Sequence, residues 1–237
     1  MRTGLVGTVA AAAIALSAAM VSAETVELKR TNPDDTFDGV APIAATVSSP
    51  EGTLSANIGA FRVTDGINNF LAWCASLADT LKLPAQYTAT ELPFANRGIL
   101  GTEVRTNIQT LFDQSYTLAL TENSVDSAAF QLALWNVMYD DMMTVDDGAF
   151  RYLGGDATVR NRANAFLASL ELGPDQSVEQ QWILTFWEAE DKAGKPGVPA
   201  SQNLITAAPI PLPAAAWMLL GALAAVAGVS RVRRRTA

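Results

Sequence analysis

The sequence predicts an α+β domain: a β-rich part, sandwich or barrel, with an inserted helical segment, flanked by a signal peptide and a C-terminal transmembrane helix. Three observations carry this. Short β-branched runs broken by Pro, Gly and Asp occupy both ends of the central region. Apolar residues recur at three- and four-residue intervals between Thr102 and Glu171. An apolar run with flanking arginine stands at each terminus.

Met1 to Ala23 holds Arg2, an Ala-rich apolar run and the ending Val21-Ser22-Ala23, a small-x-small pattern. This predicts a secretory signal peptide cut before Glu24; a buried helix or an uncleaved anchor is the alternative. Strands are then expected at Thr25 to Lys29, Val40 to Val47 and Leu54 to Val63, with a turn at Asn32-Pro33-Asp34-Asp35. Thr64-Asp65-Gly66 turns the chain into Asn69-Phe70-Leu71-Ala72-Trp73-Cys74, which places Cys74 on or beside a core strand. Asp79 to Phe94, broken by Pro84 and Pro93, reads as irregular.

Helices follow. Val104, Ile108, Leu111 and Phe112 predict a helix over Thr102 to Tyr116 with Thr102 as its N-cap. A second is predicted from about Val125 to Tyr139, started by Ser124 or Asp126, with Gln131 and Trp135 one turn apart on one flank. Asp140-Asp141 and Asp146-Asp147-Gly148 form an acidic loop: a solvated turn is one reading and a calcium site the other, at a spacing unlike an EF-hand loop. The third helix, about Thr158 to Glu171, is capped by Asp156 and stops near Gly173-Pro174. Gln181 to Trp187 reads as a well-buried strand, Lys192 to Pro199 as a turn, and Asn203-Leu204-Ile205 as a short final strand.

Composition excludes several function classes. All 24 acidic residues lie between Glu24 and Asp191, while Arg2, Arg231, Arg233, Arg234 and Arg235, five of the 16 basic residues, lie in the terminal segments. The 16 − 5 = 11 central basic residues face 24 acidic ones, so nucleic acid is not expected as a partner. The chain has no histidine, which removes Ser-His-Asp and Cys-His hydrolysis and His-ligated zinc. A single cysteine cannot build a multi-cysteine metal site either. No cofactor and no enzymatic turnover are expected.

Cys74, the only cysteine, lies in a chain expected to be exported, so it has no intramolecular disulfide partner. Three readings stand: a small buried apolar residue, an intermolecular bridge, or a nucleophile with a different partner. Gln131, at the start of the apolar run Phe130-Gln131-Leu132-Ala133-Leu134-Trp135, suggests the third. Attack of the Cys74 thiolate on the Gln131 carboxamide, with loss of ammonia, would leave an internal thioester. The alternative is that both residues are merely packed.

The aromatic-Cys pair Trp73-Cys74 and the later Gln131-Leu132-Ala133-Leu134-Trp135, a Gln-x-x-apolar-Trp motif, resemble those of bacterial thioester-domain surface proteins. The resemblance covers roughly Asn57 to Ala207 and its specific content is these two motifs. It implies a β-rich and a helical part meeting at a Cys74–Gln131 thioester, shielded from water by Trp73, Phe130 and Trp135. It also implies covalent capture of an amine-bearing surface or matrix target, as in adhesion.

Near the C-terminus, Ile210-Pro211-Leu212-Pro213-Ala214 precedes an apolar run of about 214–230 and the basic Arg231 to Arg235. This resembles a PEP-CTERM-type sorting signal in its Val-Pro-Leu-Pro-Ala variant, with Pro211, Leu212, Pro213 and Ala214 as the motif. The resemblance implies recognition and removal of the tail by an exosortase-type membrane peptidase. A plain single-span anchor is the alternative; in both cases the arginines hold the tail in the cytoplasm and the body faces away from it. The expected organisation is therefore 1–23 signal peptide, 24–207 extracytoplasmic domain and 208–237 sorting segment. The precursor is expected to be anchored in the inner membrane, and the mature protein to reach the cell surface or extracellular matrix. Two functions follow: a covalent adhesin, or a structural matrix protein with no thioester.

Overall fold

The computed structural model describes residues 25–37, 40–90, 93–94, 100–120, 123–170 and 179–210. The signal segment, the Pro211–Ala214 motif, the apolar run beyond it and the predicted stop at Gly173-Pro174 lie outside the described residues.

Among the described residues, eleven strands and three helices form an α+β fold, and its β-rich part is a barrel rather than a sandwich. The strands are β1 Thr25–Arg30, β2 Ile43–Ser49, β3 Gly52–Ile58, β4 Phe61–Thr64, β5 Asn69–Cys74 and β6 Ala85–Thr90. After the helices α1 Thr102–Ala119 and α2 Ser124–Tyr139 come β7 Arg151–Gly155 and α3 Ala157–Leu170. The chain continues through β8 Trp182–Ala189, β9 Asp191–Lys192, β10 Lys195–Pro199 and β11 Leu204–Pro209. Six strands close in the order β1-β4-β5-β11-β8-β6, all antiparallel; β3-β2-β7 form a second sheet and β9-β10 a ribbon. Among the described residues no helix is long and apolar enough to cross a membrane.

Alternation along the strands explains where the helices lie. The pairings Phe61↔Ala72 and Cys74↔Leu204 put Phe61, Val63, Phe70, Ala72, Cys74 and Leu204 on one face of this side of the barrel. Trp73, Ile205 and Trp182 share the other face, and α1 and α2 pack there. Trp73 lies 4.6 Å from Phe130 of α2, and Tyr116 of α1 lies 4.8 Å from Trp182, measured between ring centroids. Residues Ser127 to Val137 of α2 are all buried, so this helix is covered all round rather than amphipathic.

Several expectations need correcting. The predicted strand Leu54 to Val63 is broken into β3 and β4 at Gly59, whose φ is +143°. A Cβ there would stand 3.2 Å from Ser127 Oγ, so glycine permits both the left-handed turn and the close approach of α2. The N-cap of α1 is Gly101, not Thr102, and makes no side-chain cap. Asn123 caps α2, its Oδ1 accepting from Val125 N at 2.8 Å, in place of Ser124 or Asp126. Asp156 does cap α3, accepting from Thr158 N at 2.7 Å. The stretch read as irregular contains β6, which pairs with β1 and β8 on its two sides. Lys192 to Pro199 is the β9-β10 ribbon, and β8 is half-buried, with Ile183 47 % exposed.

Candidate functional site

Cys74 ends β5 at the point where the strand loses a neighbour. Ala75 N donates to Asn203 O at 2.9 Å, so residues 73 and 75 turn their main-chain groups toward β11 and residue 74 turns its own toward β4. The β4–β5 ladder stops at Phe61↔Ala72, because the chain has already turned away at Gly59. Cys74 N–H and C=O are therefore left on a bare strand edge in the core, and a buried main-chain group without a partner costs about 1–3 kcal/mol.

Helix α2 fills that edge with side chains. Ser127, Gln131 and Trp135 are spaced by four residues and form one stripe along the helix. Ser127 Oγ accepts from Ala60 N at 2.9 Å, closing the end of β4. Gln131 Oε1 accepts from Cys74 N at 2.9 Å, and Gln131 Nε2 donates to Cys74 O at 2.9 Å. Trp135 Nε1 donates to the same Cys74 O at 3.0 Å. The carboxamide thus takes the place of the missing strand.

This pairing fixes where the carboxamide lies relative to the thiol. With C=O and C–N bonds of about 1.2 and 1.3 Å, Gln131 Cδ lies within about 4.2 Å of both Cys74 N and Cys74 O. The thiol is carried one Cβ away from the Cα between them. Cys74 and Gln131 are each 1 % exposed, so water is excluded from both. The Cys74 N–H already hydrogen-bonds the Gln131 oxygen, where negative charge would develop if sulfur added to Cδ.

The thiol is held neutral. Cys74 Sγ donates to Ser76 O at 3.1 Å. Burial pushes its pKa up to about 12; the Ser76 main chain and the Trp135 indole N–H pull it back, while the charges of Asp79 and Glu51 add to the rise. The turn after β5 is held from several sides. Ser76 Oγ donates to Asp79 Oδ2 at 2.6 Å, and Gln202 Nε2 donates to Ser76 O at 2.8 Å and to Asp79 O at 3.0 Å. Leu77 N donates to Tyr139 Oη at 3.2 Å, which in turn donates to Glu51 Oε2 at 3.4 Å.

Of the aromatics expected to shield a thioester, Trp135 touches Cys74. Trp73 and Phe130 are fully buried beside the strand but belong to the opposite face from the thiol, in a cluster with Phe112 and Tyr116. Three carboxylates of the acidic loop have protein partners, within the loop or on α3. Asp140 accepts from Met142 N and Phe150 N, Asp146 from Asn164 Nδ2, and Asp147 from Gly148 N. Among the described residues no group of three or more metal-ligating side chains is gathered. The sequence did not point to Ser76, Ser127 or Gln202, since small polar residues in loops and helices carry no motif of their own.

No protein-family model matches the chain, and no curated protein matches its sequence. Among solved structures, the chain is similar to a cysteine-to-alanine mutant of the N-terminal thioester domain of a surface protein from Clostridium perfringens. The match has 11 % identity and a TM-score of 0.39, and covers 64 % of this chain and 89 % of that one.

Proposed function

We propose that this protein is an exported surface or matrix protein whose Cys74 and Gln131 form an internal thioester that captures amine-bearing targets covalently. One observation carries the reading: the Gln131 carboxamide is clamped against the main chain of Cys74, the only thiol, in a core that excludes water. Formation joins Cys74 Sγ to Gln131 Cδ and breaks Cδ–Nε2; the nitrogen leaves as ammonia with the thiol proton. Capture joins a target amine to Cδ, breaks Sγ–Cδ and restores the thiol, so each molecule acts once and is not an enzyme in the turnover sense. The Cys74 N–H stabilises the oxyanion in both steps.

Export, and sorting by an exosortase-type peptidase with a transient membrane anchor, belong to the same proposal. They rest on Met1–Ala23 and on the Pro-rich motif, apolar run and arginines of the C-terminus. The second reading is a structural matrix protein, favoured by the complete satisfaction of the β5 edge by an unreacted Gln131. Incubation of the full chain with biotin-cadaverine separates the two. Covalent label on the peptide containing Gln131, absent from Cys74→Ala, supports capture; label no greater than in Cys74→Ala removes it.

A further inference from the structure

Resting on the thioester reading, the geometry points to Asp79 as the positioning residue that moves the proton of Cys74, acting through the Ser76 hydroxyl. The reaction needs such a group. A buried neutral thiol is a poor nucleophile, the chain has no histidine, and the acceptor that Cys74 Sγ now uses, Ser76 O, is a carbonyl that cannot take a proton.

The surroundings of Cys74 narrow the choice. Among the described residues, the titratable groups that bear on the thiol are Asp79 on its own turn, Glu51 on the β2–β3 turn, Tyr139 on α2 and Tyr87 on β6. Burial raises both tyrosines above their ordinary range, Tyr87 to about 12, so neither takes a proton as phenolate near neutrality. Glu51 is exposed and engages the turn only through the 3.4 Å contact with Tyr139. Asp79 instead accepts a 2.6 Å hydrogen bond from Ser76, the residue that also holds the thiol hydrogen, and Ser76 is 2 % exposed. Asp126 and Asp140 are committed elsewhere, to Arg162 and to the main chain of the acidic loop.

In formation, the thiol hydrogen turns from Ser76 O to Ser76 Oγ, the serine proton passes to Asp79, and sulfur adds to Cδ. Asp79 then returns the proton by way of Ser76, and nitrogen departs as ammonia. In capture the order reverses: the proton of the attacking amine goes to Asp79 and then to the released sulfur. One carboxylate thus serves both steps.

The test uses the full chain with methylamine as probe, following incorporation by intact mass between pH 5 and 9 and correcting for the free-amine fraction. Asp79→Asn should slow capture by about a hundredfold. Asp79→Glu should restore much of the rate, and Ser76→Ala should slow capture in the same direction. Wild-type rate and profile in Asp79→Asn would overturn the inference. If Asp79→Asn does not fold, Ser76→Ala decides, a wild-type rate and profile again overturning it. A wild-type chain that shows no ammonia deficit and takes up no methylamine sinks the thioester reading itself, a result distinct from a reactive wild type with an indifferent Asp79.

Discussion

Removing the Trp135 indole N–H should have a different consequence depending on whether the thioester is present. Cys74 O accepts from both Gln131 Nε2 at 2.9 Å and Trp135 Nε1 at 3.0 Å. When the thioester forms, Nε2 leaves, and Trp135 becomes the remaining donor to a carbonyl on a residue 1 % exposed. In a Cys74→Ala background the carboxamide is intact, so Trp135→Phe removes one of two donors and should destabilise by about 0.5–1.5 kcal/mol. In the thioester-bearing protein the same change strands a buried acceptor and should destabilise by about 1–3 kcal/mol. The difference, about 1 kcal/mol, exceeds the roughly 0.3–0.5 kcal/mol within which independent changes add. Exposed thioester hydrolyses on unfolding, so the assay is the unfolding rate in guanidinium chloride for the four proteins of the cycle. An interaction of this size appears as a several-fold excess acceleration by Trp135→Phe in the Cys74 protein. Equal acceleration in both backgrounds would refute the idea that Gln131 has lost its nitrogen.

Three further outcomes are expected. Gly155→Ala should destabilise by about 2 kcal/mol or more, because φ is +138° there and the new Cβ would meet Ala44 O at 2.8 Å and overlap Tyr152 Oη; chemical denaturation of the Cys74→Ala protein measures it. Asn123→Ala removes the α2 cap and should lower stability by about 1 kcal/mol in the same assay. In Gln131→Ala the thiol stays free, and burial, which pushes the Cys74 pKa up to about 12 in the native fold against an ordinary 9.0, should keep it raised. A raised pKa contributes stability that is fully present below the unfolded value and is lost as pH rises through the folded one. Gln131→Ala should therefore lose stability between about pH 9 and 12 by more than Gln131→Ala with Cys74→Ala, and should resist thiol reagents at pH 8 until denatured.

The helices were legible because their periodicity is local: Ile108, Leu111 and Phe112, or Val159, Ala163, Phe166 and Leu167, repeat at helical spacing and are buried as that spacing requires. The barrel was less so. β6, with Tyr87 as its only large apolar residue, is a strand because β1 and β8 pair with it from both sides, a tertiary cause that its own residues do not state. Cys74 and Gln131 could be nominated from residue type and order. Their hydrogen bonding could not, since it depends on β4 starting only at Phe61 and on the turn at Gly59. The place of Trp73 shows the same limit: adjacency to Cys74 in sequence put it on the opposite face of the strand.

The most direct measurement is the intact mass of the purified protein before and after methylamine. With the thioester in place, the chain is lighter by one ammonia than its sequence and gains one methylamine on treatment, with both effects lost in Cys74→Ala and in Gln131→Ala. A mass equal to the plain sequence, unchanged by methylamine, with one thiol released on denaturation, would contradict the thioester reading and leave Gln131 as the group that closes the edge of β5.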